Sequence, residues 1–335
     1  MRSRILTFAL FVACVAVCSQ ATIAASWKPR LTISLPSAST ALSFSPDGKF
    51  IAAGHADGKV SVCETTRGEV VRTLTGHTAE IRAVVFLPSG DRLITLGRDM
   101  QALIWSVSDW TQQDRIDDIG FALAISPDGL WLVAQDSKQA VWLWDFKTLK
   151  REKQLVKPGV GGARDISFIG NRQVALVYGS NPHLIDITSG EDKLIPVKTS
   201  QPQINLEKTG SDQFAISLGK LSDDSAMSHN LSAAGSSLIA VGRGWYGNPA
   251  FVDTFDVTNM KTVRRYKPKE GGTETSFSFD GTLLAIAGAK QATIWSLADG
   301  KQLAAVKGNG WVKFSPTNLE LAVADGSTLV IYSPK

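Results

Sequence analysis

One pattern returns seven times along the 335 residues, and it leaves few folds open. "ALSFSPDGKFIAAGHADGKVSVCE" (41–64) recurs as "AVVFLPSGDRLITLGRDMQALIWS" (83–106) and as "ALAISPDGLWLVAQDSKQAVWLWD" (122–145). It returns as "SFSFDGTLLAIAGAKQATIWS" (276–296) and "VKFSPTNLELAVADGSTLVIYS" (312–333). Two weaker copies, "DISFIGNRQVALVYGSNPHLIDI" (165–187) and "HNLSAAGSSLIAVGRGWYGNPAFVDTFDV" (229–257), complete the set. Each unit reads as an alternating strand, a Pro-Asp-Gly-type turn, a second alternating strand, a short polar turn and a third strand. A more polar fourth strand, such as "VVRTLTG" or "KQLAAVKG", follows. Period-two alternation bounded by Gly, Pro and Asp is the signature of strands joined in hairpins.

A four-stranded unit repeating every 40–45 residues has the period of a β-propeller blade. A β-sandwich would not place the same turn at the same point of seven units. The expected fold is therefore an all-β, seven-bladed propeller of four-stranded antiparallel blades. Anchor positions Phe44, Phe86, Ile125, Phe168, Leu231, Phe277 and Phe314 are spaced 42, 39, 43, 63, 46 and 37 residues apart. The long interval holds "PQINLEKTGSDQFAISLGK" (202–220), which reads as a hairpin inserted at about 200–220 with its turn at Thr209-Gly210. An eighth blade would need about twice that length at this period. The last unit stops after its third strand. "WKPRLTISLP" (27–36) resembles the fourth-strand segment "GEVVRTLTGH" (68–77), so the N-terminal strand is expected to complete the last blade and close the ring. Closure removes the two open sheet edges that would invite aggregation.

The first 25 residues carry Arg2 and Arg4, an apolar run from Ile5 to Cys18, and small residues from Ala21 to Ala25. That order is the one found in a secretory signal peptide. The expectation is a signal peptide over 1–25 and a single propeller over 26–335, exported to the periplasm or secreted, with no membrane insertion after cleavage. An uncleaved N-terminal anchor is the alternative. Loss of Arg2 and Arg4 leaves 33 Lys+Arg against 31 Asp+Glu. That near-balance, without a basic run, argues against nucleic acid as a partner. Cys14 and Cys18 leave with the segment, so Cys63 stands alone and forms neither an internal disulfide nor a cysteine metal site.

The stretch "GHTAEIRAVVFLPSGDRLITLGRDMQALIW" (76–105) holds a His, a hydroxyl and an Asp, the ingredients of a nucleophilic triad. In register and without a gap it also resembles the repeat of WD-repeat propellers. Gly-His, Phe-Ser-Pro-Asp-Gly, a strand hydroxyl, a turn Asp and a closing Trp-Asp make up that repeat. The resemblance covers essentially the whole chain after residue 26. It implies that His77, Thr95, Asp99 and Trp105 form a structural hydrogen-bonded tetrad, with Thr95 pointing into packed interior. Other units depart from the pattern. Only Trp144-Asp145 is a strict Trp-Asp pair, and Cys63 takes the Trp position of the first unit. Blades lacking the tetrad are expected to rely on apolar packing.

Nothing else carries a catalytic pattern. His55, His183 and His229 share no metal-ligand spacing, so neither a metal nor a cofactor is expected. Asp117-Asp118, Glu191-Asp192 and Asp223-Asp224 read as solvated turns, and "PGVGG" lacks the Lys-Ser/Thr and the helix of a phosphate cradle. Two function classes remain open. One is a non-enzymatic, monomeric platform for protein partners. The other is an enzyme or small-ligand binder acting through the central channel, of lactonase or quinoprotein type, although the innermost strands read as small and apolar. For the platform, the expected surface is "GRGWYGNPA" (242–250). It reads as a turn-rich loop carrying Arg243, Trp245, Tyr246 and Asn248, of the residue types that dominate binding hot spots.

Overall fold

Period-two alternation fixes which face of each strand is buried, and the result is seven four-stranded antiparallel sheets plus one two-stranded hairpin. The computed structural model describes residues 26–120, 122–159, 162–163, 165–178, 181–195, 204–208, 214–218, 227–235, 237–245, 248–270, 272 and 274–335. Of these, 181, 204–208, 214–218, 227–231, 234, 243–245 and 248–250 are described by their backbone alone. Blade 1 runs outward through Ser39–Phe44, Phe50–His55, Val60–Glu64 and Val70–Leu74. The innermost strands of blades 2 to 7 are Ile81–Phe86, Leu123–Ile125, Asp165–Ile169, Met227–Ala234, Thr275–Phe277 and Val312–Phe314. Each touches the next, and the last returns to the first, so the sheets close into a ring around a channel. Antiparallel order puts the ends of the strands that lead from blade to blade, and from second to third strand, on one face among the described residues, called upper here. The remaining turns lie on the lower face.

The N-terminal strand Trp27–Ser34 pairs antiparallel with the last strand, Thr328–Pro334, from Trp27 opposite Pro334 to Ser34 opposite Thr328. Blade 7 is thus built from both ends of the described chain. Ile204–Lys208 and Phe214–Leu218 form the separate hairpin; Thr209 and Gly210 fall outside the described residues. The sequence reading was two residues out in blade 5. Ala233, opposite Ile239, holds the register that Phe277 holds opposite Leu284, so the anchor is Ala233 and not Leu231.

Seven buried apolar clusters fill the seven junctions between blades. Ile51, Ala53 and Cys63 of blade 1, for example, pack on Ala322, Leu329 and Ile331 of blade 7. Wholly burying an Ile or Leu of this set contributes roughly 1.5–3 kcal/mol, and an Ala less. On the lower face, the turn between third and fourth strands closes six of the junctions in one of two ways. In blades 2, 3 and 5 its left-handed residue is Trp110 (φ 62°), Leu149 (φ 54°) or Met260 (φ 56°), and each packs its side chain into the junction with the preceding blade. In blades 1, 4 and 6 that residue is Gly68, Gly190 or Gly300. There the preceding blade reaches in with a cation. Arg30 donates to Thr65 O (3.0 Å), Lys153 to Thr188 O (2.7 Å) and Arg264 to Asp299 O (2.8 Å).

Gly300 combines a φ of +74° with a Cβ position 2.4 Å from Arg264 Cδ, so any side chain there would be strained and would displace the arginine. Gly300→Ala is expected to lower stability by about 1–2 kcal/mol from the backbone term alone, checked by urea unfolding with an unchanged slope.

Candidate functional site

The one extended chain of side-chain hydrogen bonds that the sequence reading singled out lies in blade 2. His77 precedes the innermost strand, Thr95 lies on the second strand (Arg92–Gly97), Asp99 on the turn after it, and Trp105 on the third strand (Gln101–Ser106). His77 Nδ1 lies 3.0 Å from both carboxylate oxygens of Asp99, and His77 Nε2 lies 2.8 Å from Thr95 Oγ1. Trp105 Nε1 donates to the same Thr95 Oγ1 at 2.9 Å. A neutral imidazole protonated on Nδ1 satisfies every link, running from indole N–H through the threonine hydroxyl and the imidazole to the carboxylate. Burial by itself would raise the pKa of Asp99. Hydrogen bonds from the Thr78 main chain, His77 and the Gln101 main chain outweigh it and hold the carboxyl below its ordinary value. A Cβ at Gly97 would stand 2.5 Å from His77 Nδ1, so only glycine admits the pair.

Thr95 is completely buried, with its hydroxyl engaged on both sides. No substrate atom reaches it, and a hydroxyl so held is no nucleophile. Cys63 is equally inaccessible, and burial pushes its thiol up to about 12.

Polar networks also exist where the sequence reading expected apolar packing alone. In blade 1, His55 ends the second strand, fully buried, with Nε2 2.8 Å from Ser61 Oγ. In blade 3, Asp136 accepts the Trp142 indole at 2.8 Å, and Arg151 lies 5.0 Å from the rings of both Trp142 and Trp144. Asp118, read as a solvated turn, pairs with that arginine at 2.9 Å. In blade 4, Asp192 accepts from Tyr178 and His183, whose rings stack 3.8 Å apart. Blade 5 pairs buried Asp253 with Arg265 through two bonds of 2.7 and 2.9 Å. Blade 6 joins Trp295 Nε1 to Thr293 at 2.9 Å. One member of each network, Ser61, Trp142, His183, Asp253 or Thr293, stands two residues before the Trp position of its third strand, while its residue type and its partner change from blade to blade.

The channel also differs from its sequence reading. Besides Ala41, Ala83 and Ala122, its wall of about 460 Å3 includes Arg82, Asp165, Glu274 and Lys313, so it is not simply small and apolar. Among the described residues no three His, Cys, Asp or Glu side chains are grouped as metal ligands, and no helix is long and apolar enough to cross a membrane.

The segment expected as a turn-rich loop in blade 5 is instead strand. Leu238–Trp245 pairs with Asn248–Asp256, and Trp245 stands opposite Asn248, so only 246–247 remain between them. In register, Gly242 matches Ala287, the last residue of that strand in blade 6. The blade 5 hairpin therefore runs three residues further on the upper face, roughly 10 Å at the usual strand rise. Gly242 and Gly244 read as breakers, but a paired strand accommodates them. Tyr246 lies outside the described residues, as do the side chains of Arg243, Trp245, Asn248 and His229.

Residues 34–89, which span blade 1 and enter blade 2, match the family profile of the anaphase-promoting complex subunit 4 WD40 domain. Protein HIR1 of Mycosarcoma maydis is 25% identical over 227 residues, 64% of this chain and 21% of that protein. The periodic tryptophan protein 2 homolog of Neurospora crassa is 22% identical over 319 residues, 85% of this chain and 32% of that protein. The chain is a WD-repeat β-propeller. A solved structure, the Cps50 (Swd1) β-propeller domain of Myceliophthora thermophila, agrees in fold with a TM-score of 0.73. It is 17% identical and covers 92% of this chain and 100% of that one. The WD-repeat chain aligns with only about a fifth to a third of the length of the two curated relatives named above.

The tetrad predicts its own substitutions. His77→Ala leaves the buried Thr95 hydroxyl hydrogen without its acceptor, while Asp99 keeps the Thr78 and Gln101 main-chain N–H groups, and is expected to cost about 1–3 kcal/mol in thermal or urea unfolding. The converse lies in blade 3, where the buried Trp144 Nε1 has no partner. Leu132 faces Trp144 as Leu93 faces Trp105, so Ala134 occupies the Thr95 position. Ala134→Ser supplies the missing acceptor and is expected to stabilise by about 1 kcal/mol, read as a rise in melting temperature.

Proposed function

We propose that this WD-repeat propeller is a non-enzymatic scaffold that binds protein partners in an extracytoplasmic compartment. The observation that carries this reading is the state of the polar interior. The histidine, hydroxyl and carboxylate of blade 2 are consumed in holding strands together, and blades 3 and 5 use Asp136 and Asp253 in the same way. A rigid disc of this kind offers its faces and loops for binding rather than a reactive centre. Export is supported by the order of charged, apolar and small residues over 1–25. The scaffold is expected to be a monomeric ring, since closure covers the faces of all seven blades and leaves only the short outermost strands as edges.

The partner surface is the blade 5 hairpin, with Arg243, Trp245, Tyr246 and Asn248 as its contact residues. Its support is its composition together with its extra length on the upper face. Tagged protein recovered from the exported fraction should begin between Ala21 and Ser26 and bring a partner with it. Trp245→Ala is expected to weaken that capture by about 2 kcal/mol or more while leaving the melting temperature unchanged. A parallel loss of stability would place Trp245 in the fold, and an N-terminus still at Met1 would refute cleavage.

A further inference from the structure

One position of the innermost strands varies little around the ring. Ser43, Val85, Ala124, Ser167, Ser232 and Ser276 occupy it in blades 1 to 6. In blade 7 the same register holds Lys313, opposite Ala322. Three of the serines stitch their blade to the next: Ser43 Oγ accepts Phe86 N–H at 3.4 Å, Ser276 Oγ accepts Phe314 N–H at 3.0 Å, and Ser232 Oγ lies 2.6 Å from Thr275 Oγ1. A lysine ammonium has no acceptor and cannot replace them.

Lys313 is half-buried where the channel meets a recess of about 380 Å3 on the lower face, walled by Phe44, Pro46, Phe314 and Pro316. Among the described residues, no carboxylate or carbonyl pairs with its ammonium. Asp165 and Glu274, which line the same channel, each have a partner of their own. The ammonium keeps access to channel water but has no counter-charge beside it, and the other six blades place a neutral residue at this register. On the other side of Phe314 and Pro316 a second recess opens beside Ala233, which stands where blades 4 and 6 have phenylalanine. Phe279 is 54% exposed at its rim. The recess at Lys313 thus combines apolar walls with one unneutralised cation, the composition of a small-molecule pocket that orients its ligand through a single polar contact. Asp280 lines only the second recess and is held there by Ser278 and Thr282.

We propose that the lower mouth of the channel binds a small organic monocarboxylate with an apolar body. Its carboxylate pairs with Lys313 Nζ, and its body lies against Phe314, Pro316, Phe44 and Pro46. Charge complementarity sets the sign of the ligand, and the recess sets its size to that of an arylalkyl or short alkyl acid. The site lies on the face opposite the blade 5 hairpin and stands independently of the scaffold reading.

Calorimetric titration with 4-phenylbutyrate tests this directly, with 4-phenylbutanol and 4-phenylbutylamine as the uncharged and cationic counterparts. The acid should bind saturably, and the alcohol and amine at least about tenfold more weakly. Lys313→Met should lose the same factor and Lys313→Arg should keep most of the affinity, both variants melting no lower than the parent protein. Ser43→Asp, which sets a carboxylate in the same recess, should also suppress binding. The proposal fails if the acid shows no saturable binding, if the alcohol binds as tightly as the acid, or if Lys313→Met binds like the parent. Partner capture plays no part in this readout, so its loss leaves the result intact.

Discussion

The fold depends on the pairing of Trp27–Ser34 with Thr328–Pro334. Without it blade 7 would have three strands, and the junction between blades 7 and 1 would lose Ile33 and Leu35 from its core. The same strand supplies Arg30, which bridges Thr65 O of blade 1 and Glu320 of blade 7, and Trp27, which packs edge-on against Phe314 at 6.0 Å. Seven separate sheets packed in a circle are held by their junctions, with no hydrogen-bonded ladder running around the ring. Each blade buries one face on each neighbour, so two half-covered blades at an open seam would expose apolar surface and unpaired strand edges.

With the ring closed, blades tolerate divergence in how they satisfy their buried polar groups. Blade 2 uses a four-member chain, blade 3 an Asp–Trp–Arg set and blade 5 a bidentate Asp–Arg pair. The physical requirement is common to all. A polar group removed from water needs a partner, and the identity of that partner is secondary. The two designs of the lower turn follow the same logic. An inserted Trp, Leu or Met and a glycine that admits the preceding blade's Arg or Lys are alternative fillings of one gap.

Much of this was legible in the sequence, because strand alternation, the Pro-Asp-Gly turn and the repeat period all act locally. The blade 2 tetrad was legible through the resemblance to WD repeats, since its four residues match that repeat without a gap. The blade 5 anchor was not legible. A slip of two residues, from Ala233 to Leu231, keeps every side chain on its face and preserves the alternation. The networks around Asp136, Asp192 and Asp253 were hidden for another reason. Their partners Arg151, Tyr178 and Arg265 sit 15, 14 and 12 residues away, on the next strand in blade 5 but across an intervening strand in blades 3 and 4. Lys313 was visible as a letter, but its isolation became evident only when six neutral residues were found at its register.

Hydrogen exchange of the N-terminal strand tests the closed ring most directly. Amides of 31–34 that pair with Thr328–Ile331 should exchange as slowly as those of the adjacent strand Leu321–Asp325, opening only when the whole ring unfolds. If residues 31–34 exchanged orders of magnitude faster while the other blades stayed protected, the strand would be an accessory to a ring that closes without it, and the account would be wrong.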